Sequence, residues 1–142
     1  MCAKNCLLRW SDLLRIRFAA PPTGTLRWQA PAAPPVDRGA PIDATAYAPQ
    51  CPQGPDAGYR ITSVNQTLSN EDCLFLNVWS PNNVTGPLPV LVYIHGGGYG
   101  AGNGRLDWSS IINTNGNQFI GVSIQYRVRL SFCFLDVPLT RY

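Results

Sequence analysis

A chain of 142 residues, 45% hydrophobic and 13% charged, has the composition of one modest globular domain rather than of a disordered tail. The net charge of +3 comes from scattered basic residues, and no Lys/Arg run points to nucleic acid or a membrane surface. No apolar stretch approaches the ~18 residues needed to span a bilayer.

The first residues carry no recognisable motif. Leu7, Leu8, Leu13, Leu14 and Ile16 predict a short amphipathic helix over residues 7–16. Lys4, Arg9, Asp12, Arg15 and Arg17 interrupt residues 1–20, so that stretch does not read as a signal peptide. Prolines spaced through residues 18–56 forbid a regular helix or a central strand. Because Leu26, Trp28 and Tyr47 want burial, the stretch reads as an ordered coil packed on a domain surface rather than a free linker.

Residues 74–79 form the next predicted strand, and the Pro, Asn and Gly of residues 81–87 make a turn. Residues 88–94 follow as a second strand, apolar on both faces. Asp107 can cap a short helix over residues 108–114, which Asn115-Gly116 stops. Residues 119–126 are a third strand. Strand, helix, strand makes a βαβ crossover, so the last two strands should run parallel with the crossover right-handed.

The strand over residues 90–94 ends at His95-Gly96-Gly97-Gly98. Consecutive glycines pack nothing and suit a turn that offers bare backbone N–H groups to an anion. A phosphate loop would need Gly-x-x-x-x-Gly-Lys-Ser/Thr or Gly-x-Gly-x-x-Gly, and neither occurs here. The letters match the other such device, the His-Gly-Gly-Gly oxyanion loop of lipases and esterases.

The flanking segments carry a family resemblance. Glu71-Asp72-Cys73-Leu74-Phe75-Leu76-Asn77-Val78-Trp79 resembles the Glu-Asp-Cys-Leu-x-Leu-Asn-Val signature of type-B carboxylesterases, the cholinesterase-like branch of the α/β-hydrolases. Phe18-Ala19-Ala20-Pro21-Pro22-Thr23-Gly24-Thr25-Leu26-Arg27-Trp28 is similar to that family's Tyr-Ala-x-Pro-Pro-x-Gly-x-Leu-Arg-Phe segment. Val122-Ser123-Ile124-Gln125-Tyr126-Arg127 resembles its Val-Ser-x-Asn-Tyr-Arg, with Gln125 in the Asn place. Arg15 stands where the family has a Gly after an opening hairpin, and from Arg129 onward the likeness decays.

The resemblance implies a partial α/β-hydrolase sheet, mixed and of few strands, with long Pro/Gly-rich coil. It divides the chain into an unmatched segment (residues 1–15), an esterase-like body (16–128) and a divergent tail (129–142). It matches only the N-terminal part of a much longer family fold. It assigns the backbone N–H groups of Gly97 and Gly98 to an oxyanion hole, Cys51 and Cys73 to a disulfide, and Arg27 and Glu71 to an internal ion pair whose loss would strand a charge. It also places the third strand between the first two, leaving residues 90–94 as a bare sheet edge through which the chain could self-associate. Asn65 and Asn83 head glycosylation tripeptides, which with a disulfide lean toward a secreted protein. Cys2, Cys6 and Cys133 have no assigned role.

The implied chemistry is hydrolysis of a small-molecule carboxylic ester, with no cofactor. The catalytic Ser-Glu/Asp-His triad is not in these residues. No Gly-x-Ser-x-Gly elbow occurs, and residues 121–125 hold only its first half around Ser123. His95, the one histidine, heads the glycine turn and reads as its support rather than as a base. With Asp107 it makes no metal-ligand set. Alone, the chain is expected to be an inactive piece of an esterase; the alternative is a non-catalytic esterase-like binding module.

Overall fold

The computed structural model describes residues 10–36, 43–53, 69–82, 84–98 and 100–128. Asn65, Asn83, Cys2, Cys6, Cys133 and the tail over 129–142 lie outside the described residues.

The predicted amphipathic helix is instead a strand, β1 (Trp10–Arg17), paired antiparallel with β2 (Phe75–Pro81). A short helix is marginal unless its apolar face packs, whereas pairing with β2 supplies backbone partners directly. Leu14 goes into the core and Leu13 stays 51% exposed, the alternation of a strand. The register shifts between Leu13 and Ile16, where Arg15 takes the left-handed region at φ 64°. There the Leu14 amide donates to Ala44 O at 2.8 Å and the Arg15 amide to Asn77 Oδ1 at 3.0 Å. The bulge lies where the sequence has Arg in place of a glycine, and glycine is the residue such a φ favours.

β2 alternates strictly, burying Phe75, Asn77, Trp79 and Pro81. It starts one residue later than predicted and runs into Pro81, which cannot donate to a ladder. β3 (Val90–Ile94) and β4 (Ile120–Ile124) pair in parallel, and β4 also pairs antiparallel with β2. Val122 therefore sits between Val78 and Val92 across three strands. The order is β1-β2-β4-β3, the third predicted strand between the first two. Among the described residues β3 and β1 are the two edges of the sheet, and all five residues of β3 are exposed.

Between β3 and β4 runs α1 (Ser109–Thr114). The helix starts one residue later than predicted, so Trp108 takes the N-cap position without a side-chain bond, and Asp107 Oδ1, one residue ahead of it, accepts from the Ser109 amide at 2.8 Å. At the other end the Asn117 amide reaches back to Ile112 O at 2.9 Å, closing the helix over Gly116. Trp108 lies so close over Gly121 that a Cβ there would come within 2.5 Å of its ring. Trp108 Nε1 donates to Ser123 Oγ at 2.8 Å, with both residues buried. One cluster gathers Leu14, Trp79, Trp108 and Ile112, and a second gathers Ala19, Cys51, Cys73 and Leu74. The described coil packs on this body as expected through half-buried Tyr47 and Leu26. Trp28, expected buried, is 66% exposed beside the second cluster, at φ 66°. No described helix is long and apolar enough to cross a membrane.

Candidate functional site

In α/β sheets, ligands gather beyond the carboxyl ends of parallel strands. At that end of β3 the chain enters His95 and the glycine turn. His95 is 4% exposed and stacks on Tyr126, which follows β4, at 4.0 Å and 11° between rings. The Tyr126 hydroxyl donates to His95 O. His95 Nδ1 lies 3.0 Å from Gly96 O. A carbonyl only accepts, so this contact is a hydrogen bond when Nδ1 carries a proton, and Nε2 is buried with no partner among the described residues. Buried beneath the turn and stacked on Tyr126, His95 braces the loop from below.

Above it the backbone turns through the left-handed region, with φ 135° at Gly97 and 60° at Gly98. Gly97 O accepts from the amides of Gly100 at 3.2 Å and Ala101 at 3.0 Å. A Cβ on Gly97 would stand 2.0 Å from Ala101 O, so only glycine fits. Gly97 and Gly98 are both exposed, and among the described residues neither amide has an acceptor. Two open N–H donors on a braced turn are what a developing oxyanion needs.

The chain after the turn is clamped by side chains from elsewhere. Gln53 Oε1 accepts from the Gly102 amide at 2.6 Å, and Gln53 Nε2 donates to Gly102 O at 3.0 Å. Asn77 Nδ2 donates to Gly104 O at 2.8 Å, and Gln125 Oε1 accepts from the Gly104 amide at 3.4 Å. Gln125, which replaces the family's Asn, also donates to Pro49 O at 2.9 Å.

Cys51 and Cys73 are disulfide-bonded with Cα atoms 4.9 Å apart. Arg27 and Glu71 meet at 2.7 Å, but their side chains are 50% and 36% exposed, so the expected internal pair is a surface one. Solvent screens it, and removing one partner leaves no buried charge. The hydrogen bond that Arg27 donates to Glu71 raises the Arg27 pKa. A more enclosed pair carries no motif in the sequence. Arg17 grips Asp72 with two bonds of 2.6 and 2.7 Å and lies 4.4 Å over the Phe75 ring. Its signal lies only in the pairing of β1 with β2, which sets Arg17 opposite Phe75. Ser123 is fully buried and bonded to Trp108, the opposite of an exposed nucleophile.

The Carboxylesterase family model matches residues 10–137. The chain belongs to the carboxylesterase family. It is 39% identical to phenmedipham hydrolase of Pseudarthrobacter oxydans over 80% of this chain and 23% of that protein. It is 38% identical to the acetylcholinesterase of Bungarus fasciatus over 90% of this chain and 22% of that protein. Among solved structures, Aspergillus niger EstA superimposes with a TM-score of 0.74 at 30% identity, covering 86% of this chain and 23% of that one. A PNB esterase superimposes with a TM-score of 0.71 at 35% identity, covering 89% and 25%. The chain thus spans about a quarter of the length of these carboxylesterases. It matches the N-terminal part of the type-B fold.

Proposed function

We propose that this chain is the part of a carboxylic ester hydrolase that supplies the oxyanion-hole loop, and that its esterase-like body comprises residues 16–128. The observation that carries the reading is the pair of open amides at Gly97 and Gly98, held beyond the carboxyl end of β3 by buried His95. In acyl transfer the ester carbonyl oxygen becomes negative in the tetrahedral intermediate, and N–H donors aimed at it lower the barrier. The substrate is a small-molecule ester. These 142 residues contain no Gly-x-Ser-x-Gly elbow, so the nucleophile, and the third donor that follows it, are not within them. By itself the chain therefore binds no acyl group covalently and turns over no ester. The disulfide supports an extracellular setting, in which Asn65 and Asn83 are glycan acceptors. The bare edge of β3 supports self-association of the isolated chain.

A chimera tests the assignment. This chain replaces the matching part of para-nitrobenzyl esterase of Bacillus subtilis, to which it is 38% identical over 127 residues. The chimera should hydrolyse p-nitrophenyl acetate, and Gly97→Pro should lower kcat by at least about 10²–10³-fold, because it deletes one donor and its ring can neither follow φ 135° nor clear Ala101 O. Undiminished kcat in that variant refutes the oxyanion role. A folded but inactive chimera favours the non-catalytic module instead. The isolated chain should match a Gly97→Pro, Gly98→Pro control in rate, and stoichiometric labelling by an organophosphate serine probe would overturn its inactivity.

A further inference from the structure

Residues 48–53 run beside the chain that follows the glycine turn, and polar bonds tie the two together. Arg105 Nη2 donates to Ala48 O at 3.0 Å and Asn103 Nδ2 to Gln50 Oε1 at 3.3 Å. Those contacts hold residues 103 and 105. Gln53 reaches nearer the turn. Besides its two bonds to Gly102, its Nε2 donates to Cys51 O at 2.7 Å. Both amide hydrogens and the carbonyl are thus engaged. The reverse orientation of the carboxamide would set two donors against each other at the Gly102 amide, so one orientation alone satisfies the site.

Gly102 is itself in contact with the oxyanion support. A Cβ built there would lie 2.1 Å from His95 Nδ1 and 2.3 Å from Gly96 O, the two ends of the contact between His95 and the turn. A displacement of Gly102 toward His95 therefore pushes directly on that pair, and a displacement away unpacks it. Gln53 sits two residues from Cys51, whose disulfide partner Cys73 lies just ahead of β2. A continuous path runs from the sheet through the disulfide and the Gln53 carboxamide to Gly102 and His95. We propose that Gln53 is a positioning residue for the oxyanion loop, fixing its distance from the sheet by gripping Gly102. The proposal rests on reading the glycine turn as an oxyanion hole, but the grip itself can be tested without any ester.

The primary readout is deuterium exchange of the chain at sub-micromolar concentration, resolved at Gly102 by mass spectrometry, with β4 as reference. Gln53→Met keeps the length of the side chain and removes all three bonds, and Gln53→Ala removes the packing as well. Both variants should speed exchange at Gly102 about tenfold or more, the effect of losing a net hydrogen bond, while exchange in β4 is unchanged. Gly102 still protected in Gln53→Met overturns the proposal. Loss of protection throughout β4 in that variant also overturns it, because Gln53 would then hold the domain and not the loop. In the active chimera, Gln53→Met should lower kcat with KM unchanged, since the oxyanion forms only after substrate binds. A fall in Gly102 protection with an inactive chimera leaves the grip standing and removes the esterase reading alone.

Discussion

Gly102→Ala adds one methyl group at the point where backbone geometry and packing coincide. At φ 118° an L-residue is strained by about 1–3 kcal/mol. The new Cβ would overlap His95 Nδ1 at 2.1 Å and Gly96 O at 2.3 Å, both in a braced turn that cannot simply swing aside. Overpacking of that kind costs about 1–3 kcal/mol, and relief by moving the backbone gives up the Gln53 bonds at about 1 kcal/mol each. These terms overlap, so the expected loss is about 3–5 kcal/mol, a large share of a domain's ~5–15 kcal/mol. Two sibling substitutions separate the causes. Gly96→Ala meets no atom within 4 Å and needs no left-handed φ, so it should be near neutral. Gly116→Ala has φ 67° but no atom nearer than 3.8 Å, so it isolates the backbone strain at about 1 kcal/mol. Urea unfolding at sub-micromolar concentration, followed by the fluorescence of buried Trp79 and Trp108, ranks the three. Gly102→Ala should move the midpoint down by about 2 M, from a slope of ~2 kcal/mol per M. A midpoint equal to that of Gly116→Ala would show that the loop yields freely around His95, and the argument for a braced turn would fail.

Replacing Cys51 by Ala opens a disulfide between residues 22 apart, and on the chain-entropy model stability falls by about 3 kcal/mol in the same urea assay. Arg15→Gly should raise stability by about 0.5–1 kcal/mol, because glycine accepts φ 64° and the exposed Arg15 side chain gives up a distant contact, 6.0 Å from the Phe75 ring, and a solvent-screened attraction to exposed Asp43; a lower melting temperature would contradict this. Val92→Lys, at a β3 position 51% exposed, should shift the isolated chain toward monomer in analytical ultracentrifugation; an unchanged distribution would mean that the edge is not the sticking surface.

What the sequence reveals follows the distance over which each element is determined. β3, α1 and β4 are written locally, by apolar runs, an Asp107 just ahead of the helix and a stop at Asn115-Gly116, and the bounds of all three lie within two residues of where those signals place them. β1 is different. Adjacent Leu13 and Leu14 look helical in isolation, and only the ladder with β2, more than sixty residues downstream in register, makes them a strand with one side in and one side out. The glycine turn announces itself through residues that no regular element tolerates. Its clamp does not, because Gln53 in a Pro-rich coil has no periodicity and its partner is 49 positions away. The ion pairs show the same limit. Arg27–Glu71 followed from a family pattern, but its depth of burial depends on the fold around it, and Arg17–Asp72 required knowing that residues 10–17 were extended.

The sheet order also sets a timetable for synthesis. β4 is the last described strand to be made, yet it is the strand on which β3 depends for its ladder. At ribosomal speeds of ~5–20 residues per second, the stretch from Ile94 to Ile124 takes about 2–6 seconds to emerge. For that interval Val90-Leu91-Val92-Tyr93-Ile94 is an extended apolar segment with neither charge nor proline to discourage a foreign strand. The nascent chain is therefore most vulnerable in the seconds between the glycine turn and β4, and elongation rate through residues 95–119 governs how much of it a chaperone must cover.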